Sequence, residues 1–322
     1  MAHALLSTAM SSHYFIWVDG RPVPGNEARV PVLDRGFLYG DSVYEVTRTV
    51  NQKPLFYDLH CARLHSSAGG IGMTLPKQKE IDAAVNDTIL TAAQHAAELA
   101  AVTLPDYAVV DSGKSGERSR EFYVRIIVTR GAGDLDLDPS AADSPRLVVL
   151  VKPLALPSPH LYREGAALAT VSQRRNAPGH VPPEVKSGNY LPSVMALAAA
   201  RRRGAYEALM LDMHGQLSEG ASSNFFAVIG GRLVTPPRSV GILAGVTRGM
   251  LLKLAGSCGI AVSEEPLALA DALAADEALI TSSIRGIMPV VRIDQHQIGT
   301  GNPGPVTRRL MHQYEKLIGE SR

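Results

Sequence analysis

Lys186 lies in Val185-Lys186-Ser187-Gly188-Asn189-Tyr190, and 33 residues further on Glu219 lies in Ser218-Glu219-Gly220-Ala221-Ser222-Ser223-Asn224. An amine can form a Schiff base with an aldehyde. A carboxylate can keep a heterocyclic nitrogen protonated so that its ring withdraws electrons. Together they are the two groups that pyridoxal phosphate chemistry asks of a protein. Neither residue carries that reading alone: most lysines are solvated, and Glu219 also reads as an exposed turn acid. The context of Lys186 strengthens it, because the residue precedes a predicted helix in a loop of small residues, with Tyr190 four positions on. A Schiff-base lysine needs a lowered pKa, which a partly buried cationic site provides. Gly220 and the small residues after it are expected to let a flat ring approach the backbone.

A phosphate must also be held. Gly245-Val246-Thr247-Arg248 opens a helix predicted over 247–258, where unpaired N–H groups attract phosphate and Thr247 adds a hydroxyl. A simple N-cap would equally account for Thr247. Arg63, in His60-Cys61-Ala62-Arg63-Leu64, offers a fork matched to phosphate oxygens, or is a surface helix charge. Ser282 and Ser283 close a predicted strand and offer further hydroxyls. Other signals fail. Ser112-Gly113-Lys114-Ser115 has Ala108 where a nucleotide loop needs glycine, and no apolar strand and helix flank it. Asp134, Asp136 and Asp138 alternate before Pro139 and read as a solvated turn, so no metal is expected. There is no Gly-x-Ser-x-Gly nucleophile elbow.

These residues need a scaffold of some size. The 322 residues suffice for roughly two domains of about 150 residues each. Residues 153–159, with three prolines, mark the linker. The expected division is an N-terminal domain over 13–152, a linker over 153–160 and a C-terminal domain over 161–322. Before the linker, strands are predicted at 15–21 with an Asp-Gly turn, 42–50, 121–129 and 146–151, and helices at 59–70 and 79–101, with a polar loop over 105–120. After it, helices are predicted at 191–203, 247–258 and 306–318, and strands at 208–212, 224–229, 232–235 and 277–282. The pattern is mixed α/β without the βαβ rhythm of a doubly wound sheet. A net charge of +1 argues against a nucleic-acid or membrane-surface partner. Cys61 and Cys258 form neither a disulfide framework nor a zinc site. The first dozen residues read as a loose tail without a signal peptide, and no apolar run approaches the ~18 residues of a membrane span, so a cytoplasmic location is expected.

Taken together, the chain resembles the fold-type IV pyridoxal-phosphate enzymes: branched-chain aminotransferases, D-amino-acid aminotransferases and aminodeoxychorismate lyases. The resemblance runs over about 17–313. It is carried by Asp34-Arg35-Gly36-Phe37-Leu38-Tyr39-Gly40-Asp41, Val43-Tyr44-Glu45-Val46, His60-x-x-Arg63-Leu64, Val128-Thr129-Arg130-Gly131, Lys186, Glu219-Gly220-x-x-Ser223-Asn224, Gly245-Val246-Thr247-Arg248 and Met288-Pro289-Val290. It implies a two-domain α+β fold, with a smaller N-terminal α/β domain, a larger C-terminal domain with a barrel-like sheet, the cofactor in the cleft between them, and a homodimer. It implies that Lys186 carries pyridoxal 5'-phosphate and shuttles the substrate proton, and that Glu219 holds the pyridine nitrogen. Arg63, Val246, Thr247, Ser282 and Ser283 would serve the phosphate, Leu243 would lie under the ring, and Tyr190 would meet the phenolic oxygen.

The resemblance divides over substrate. Tyr44-Glu45-Val46 is similar to the D-amino-acid enzymes, but their Arg-x-His carboxylate trap is replaced by Ala132-Gly133-Asp134-Leu135-Asp136-Leu137-Asp138, an acidic stretch that would repel a carboxylate. Tyr123-Val124-Arg125 and Arg48 resemble the branched-chain enzymes, although Val46 stands where those carry glycine. Ile284 and Arg285 follow Ser283. Arg285 occupies a spot usually small in both groups, and either supplies a substrate-carboxylate contact or is an exposed loop arginine. The expected activity is transamination from branched-chain or other hydrophobic L-amino acids to 2-oxoglutarate or pyruvate. A D-amino-acid or (R)-amine transaminase comes second and an aminodeoxychorismate lyase third.

Overall fold

A computed structural model describes residues 14–95, 121–142, 144–174 and 182–320. The chain forms two units: one runs to Leu156 and includes Lys186–Asn189, and the other comprises Pro157–Val185 and Tyr190–Arg322. The expected loop over 105–120, the Ser112-Gly113-Lys114-Ser115 stretch and the N-terminal tail lie outside the described residues.

Unit 1 is an antiparallel six-stranded sheet in the order β2-β1-β6-β5-β3-β4. Its strands are β1 (Phe15–Val18), β2 (Arg21–Pro24), β3 (Ser42–Val50), β4 (Lys53–Pro54), β5 (Phe122–Thr129) and β6 (Arg146–Pro153). Asp19 and Gly20 both take positive φ, 51° and 86°, the backbone that a two-residue hairpin turn requires. Helix α1 (Arg35–Tyr39), too short for periodicity to reveal, is capped by Asp34 and ended by Gly40 at φ 69°. Helix α2 (Tyr57–Gly70) begins two residues earlier than predicted. Helix α3 (Gln78–Gln94) buries Ile81, Ala84, Val85, Thr88, Ile89 and Ala92, an amphipathic stripe packed on β1, β2 and β6. The continuation expected to residue 101 falls beyond the described part.

Strand β4 covers only Thr49 and Val50 on one edge of β3. The other end of that edge accepts a remote segment. Tyr44 N donates to the Lys186 carbonyl at 3.0 Å, and Gly188 N donates to the Ser42 carbonyl at 2.9 Å, forming a bridge between Val43 and Ser187. Lys186 N donates to Ser67 Oγ of α2 at 3.0 Å. The backbone around the lysine is thus held by three hydrogen bonds. Gly188 is needed for the approach: a Cβ there would collide with Ser42 Oγ and lie 3.2 Å from the Gly40 carbonyl.

Unit 2 carries a nine-stranded sheet built from β7 (Ala166–Arg174), β8 (Glu207–Leu211), β9 (Leu217–Gly220), β10 (Asn224–Ile229), β11 (Arg232–Thr235), β12 (Val262–Glu264), β13 (Glu277–Ser282), β14 (Gly286–Ile293) and β15 (His296–Gln297). The path β10-β13-β14-β7-β8-β9 returns to β10, so six strands close into the expected barrel-like ring. The closing pair is Glu219 with Asn224. Ring-facing residues of successive strands, among them Leu168, Leu209, Phe225, Ala227, Ile280, Met288 and Val290, form the core. Around it lie α4 (Pro159–Glu164), α5 (Leu191–Arg202), α6 (Val246–Ser257), α7 (Leu269–Leu273) and α8 (Pro305–Glu320). Strands β7, β9 and β14 escape the periodicity reading. β9 is the polar tetrapeptide Leu-Ser-Glu-Gly, and β14 contains Pro289, a residue that argues against an interior strand.

Gly188→Ala is expected to cost about 1–3 kcal/mol, the usual penalty for overpacking a tight contact, in urea unfolding. Gly256→Ala, where an added Cβ meets nothing within 4 Å, should be neutral or slightly stabilising.

Candidate active site

In unit 1 the register of the sheet sorts the candidates by face. Tyr44 pairs with Ile127, Val46 with Arg125 and Arg48 with Tyr123, and residues opposite each other in antiparallel strands share a face, as do alternate residues along one strand. Tyr44, Arg48, Tyr123 and Arg125 therefore stand together. Lys152 joins them, since it pairs with Tyr123 across β5 and β6 and its Nζ lies 5.2 Å from the Tyr123 ring centre. The sequence reading missed Lys152; a lone cation directly after the apolar run Leu147 to Val151 was the available signal. The Arg125 guanidinium lies 4.5 Å from the Tyr44 ring centre and Lys186 Nζ 4.4 Å from it, both within cation–π range. Arg48 Nε is buried with no hydrogen-bond partner among the described residues. Such a face, aromatic and cationic at once, suits a small carboxylate with an apolar side chain.

Glu45 projects from the opposite face of β3. It is 1% exposed and accepts Arg63 Nε at 2.7 Å, Arg63 Nη2 at 2.8 Å and His60 Nδ1 at 2.6 Å. Arg63 is therefore no surface charge: it is a fork aimed by a carboxylate. Burial raises the Glu45 pKa, but the hydrogen bonds and charge of Arg63, with His60, outweigh it and bring the value from 4.5 to about 2. For His60, burial is the largest effect and pulls the imidazole below its usual 6.5 despite Glu45. The imidazole is thus neutral at pH 7 and donates its Nδ1–H to the carboxylate.

In unit 2 Glu219 is no exposed turn acid. It is 5% exposed, and its Oε2 accepts from Asn224 Nδ2 and from Leu243 N, each at 3.0 Å. Asn224 Nδ2 also donates to the Leu243 carbonyl at 2.9 Å, so the Glu219–Asn224 segment and Leu243 are tied at one point. The expectation that Gly220 leaves room for a ring does not hold. A Cβ at Gly220 would meet Ser223 Oγ, the Ala208 carbonyl at 3.1 Å and Glu207 Cγ at 3.2 Å, so the protein itself fills that space. Helix α6 starts at Val246 behind Gly245, which provides no side-chain cap. Thr247 is 2% exposed, and its Oγ1 is buried without a hydrogen-bond partner among the described residues. Uncapped N–H groups beside an unsatisfied hydroxyl are what a phosphate fits.

Ser282 Oγ accepts from Arg285 N at 3.2 Å and Arg285 Nε at 3.0 Å, so this hydroxyl is tied into its own turn. Ser283 and Ile284 sit in the loop between β13 and β14, partly exposed. Arg285 is not an exposed loop arginine; its guanidinium pairs with Glu207 at 2.9 Å, and a substrate carboxylate would have to compete with that acid. Tyr190 immediately precedes α5, and its carbonyl accepts Val194 N at 2.9 Å. The acids of the 134–138 stretch serve their own turns: Asp136 accepts Asp138 N at 2.9 Å, and Asp138 accepts Ser140 N at 2.8 Å.

The family model for class IV aminotransferases matches residues 42–293. A Methanocaldococcus jannaschii protein, provisionally assigned as a branched-chain-amino-acid aminotransferase, is 36% identical over 302 residues, covering 94% of this chain and 96% of its own. The branched-chain-amino-acid aminotransferase of Escherichia coli K12 is 30% identical over 315 residues, covering 94% of this chain and 93% of its own. Among solved structures, the T.th. branched-chain amino acid aminotransferase complexed with N-(5'-phosphopyridoxyl)-L-glutamate matches with a TM-score of 0.80 at 28% identity, over 96% of this chain and 95% of that one. The matched family uses pyridoxal 5'-phosphate. The orphaned Thr247 hydroxyl at the start of α6 and the buried Glu219 carboxylate fit that group.

Thr247→Val should weaken pyridoxal 5'-phosphate binding to the apoprotein roughly tenfold or more, because a hydrogen bond to a charged group contributes about 1.5–3 kcal/mol. Melting of the apoprotein should hardly change, since the hydroxyl bonds nothing among the described residues. Absorbance titration and calorimetry read the two effects. The pH dependence follows from two lowered pKa values. The Glu45 contribution is complete above its unfolded value of 4.5 and is lost as pH falls toward about 2. The His60 contribution is complete above its unfolded value of 6.5 and is lost as pH falls below that toward its lowered folded value. Glu45→Gln should cost about 3–5 kcal/mol at neutral pH by stranding Arg63 and should flatten the acid limb of a Tm-against-pH curve.

Proposed function

The chain belongs to the class IV aminotransferases, and we propose that within this family it moves the amino group of branched-chain and other hydrophobic L-amino acids to a 2-oxo acid such as 2-oxoglutarate, in a ping-pong cycle. One observation supports the substrate preference most: Tyr44, Arg48, Tyr123 and Arg125 share a face of the sheet in unit 1, the unit that also holds Lys186. Guanidiniums on that face suit the substrate carboxylate, and the two rings suit an apolar side chain. The names of the relatives point the same way.

When bound, pyridoxal 5'-phosphate supplies an electron sink for negative charge at the substrate Cα. In this reading Lys186 Nζ would hold the cofactor at its aldehyde carbon and would carry the proton that leaves the substrate Cα. Its backbone stays fixed on β3 while the Tyr44 ring orients its amine. Glu219 holds the proton on the ring nitrogen, and its two hydrogen bonds from Asn224 and Leu243 keep the carboxylate aimed. Thr247, the N-terminus of α6 at Val246, Ser283 and Arg63 receive the phosphate, and Glu45 sets the Arg63 fork. Leu243 supports the ring and Tyr190 its phenolic oxygen. A homodimer completes the proposed assembly. The motif Tyr44-Glu45-Val46 favours a second reading, a D-amino-acid or (R)-amine transaminase.

A half-reaction panel tests the proposal. With amino donor and no acceptor, L-leucine, L-isoleucine and L-valine should remove the absorption near ~420 nm and raise a band near ~330 nm. Response to D-donors alone would transfer the assignment to the second reading. A protein whose ~420 nm band no amino acid changes would be a lyase or a binding protein instead. Lys186→Ala should abolish borohydride labelling of the peptide that spans it.

A further inference from the structure

Unit 2 contains a buried ion pair to which the proposed chemistry assigns nothing. Arg285 Nη1 donates to Glu207 Oε2 at 2.9 Å, with side chains 12% and 1% exposed. Its Nη2 donates to the Ser222 carbonyl and to Ser222 Oγ, each at 2.7 Å. Its Nε donates to Ser282 Oγ at 3.0 Å, and the guanidinium lies 5.8 Å from the Tyr206 ring centre. Glu207 in turn accepts Ser222 Oγ at 2.7 Å, Ser223 Oγ at 3.5 Å and Ala208 N at 2.9 Å. Burial works against the charge on Arg285, but Glu207 outweighs it and raises the pKa above the ordinary arginine value. Arg285 therefore keeps its charge despite its burial.

Each bond from the guanidinium links one turn to another or braces its own. Ser222 and Ser223 belong to the turn between β9 and β10, which begins immediately after the Glu219-Gly220 end of β9. Ser282 closes β13, and Arg285 ends the three-residue loop Ser283-Ile284-Arg285 that leads into β14. The two turns sit at the same end of the ring, because Asn224 pairs with Thr281. The guanidinium fork reaches Glu207, Ser222 and Ser282 at once, which a lysine ammonium on a flexible stem cannot do.

We propose that the Arg285–Glu207 pair is a positioning clamp that holds the Glu219 turn and the Ser283 loop at a fixed separation, so that ring-nitrogen acceptor and phosphate-side hydroxyl meet one rigid cofactor together. This rests on the roles proposed above for Glu219 and Ser283. Arg285 acts through Glu207 and Ser222 and does not meet the substrate carboxylate.

The test compares wild type, Arg285→Ala, Glu207→Gln and the double variant by three measurements: pyridoxal 5'-phosphate affinity of the apoprotein, the 31P resonance of the holoenzyme, and kcat and KM for the amino donor at saturating cofactor. Each single variant should weaken cofactor binding about tenfold or more, as loss of a supporting contact does at other prosthetic sites. The 31P resonance should shift, and kcat should fall while donor KM stays within about twofold. The double variant should be no worse than the poorer single, since a pair fails as a unit. Unchanged affinity and 31P resonance with a raised donor KM in Arg285→Ala would overturn the clamp in favour of direct substrate contact. Additive effects would overturn it too. Should Arg285→Ala not fold, Arg285→Lys takes its place, and a lysine variant identical to wild type in all three measurements refutes the proposal. Failure of wild type to bind the cofactor through Lys186 would remove the functional reading itself, a distinct result.

Discussion

A carboxylate withdrawn from water has to be met by donors or it loses its charge, and that requirement organises both units. Glu45, Glu207, Glu219 and Glu277 are 1%, 1%, 5% and 7% exposed. Each is satisfied by groups outside its own strand, so each acts as a staple. Glu45 aims the Arg63 fork. Glu219 joins β9 to Asn224 and Leu243, and its own backbone forms the pair that closes the six-stranded ring. Glu277 receives Val306 N and Thr307 N at 2.9 and 2.7 Å and so caps α8. Burying ions brings little net stability, but it leaves few alternative arrangements, since breaking one partner strands the other.

Lys186 is held differently. Its main chain is anchored by sheet-like hydrogen bonds and by Ser67, and its Nζ lies 4.4 Å from the Tyr44 ring centre. Anchoring through the backbone fixes where the side chain starts. The face of an aromatic ring favours a cation nearby. The arrangement depends on close approach at Gly188, which explains why a residue so plain in sequence stands two positions from the lysine.

Much of this was legible in advance where a local rule governed. The Asp-Gly turn required positive φ, β3 was rich in Val, Thr and Tyr, and α3 carried an apolar stripe of helical period. Strands β9 and β14 were not legible, because the polar run of β9 and Pro289 of β14 contradict local strand preference and the ring around them overrides it. The Gly220 expectation failed for a related reason. Its missing side chain makes room for Ser223 and the Glu207 stem, neighbours that exist only after β8 and β9 have paired. Lys152 escaped notice because its relation to Tyr123 is one of register between strands.

By itself the sequence determined the family and the candidate groups: an amine, a carboxylate, a helix start suited to phosphate and a set of cations and rings, in the order of one enzyme family. Those are properties of residue type and spacing, and they survive without coordinates. Only the tertiary structure decided which of these groups are engaged and by what. It turned Arg63 from a surface charge into a fork set by Glu45, and Glu219 from a turn acid into the closing pair of a ring. It left the Thr247 hydroxyl without a partner among the described residues and bound Arg285 to Glu207. The physical reason is that engagement depends on burial and on partners brought in from other strands and helices, which no local window of sequence contains.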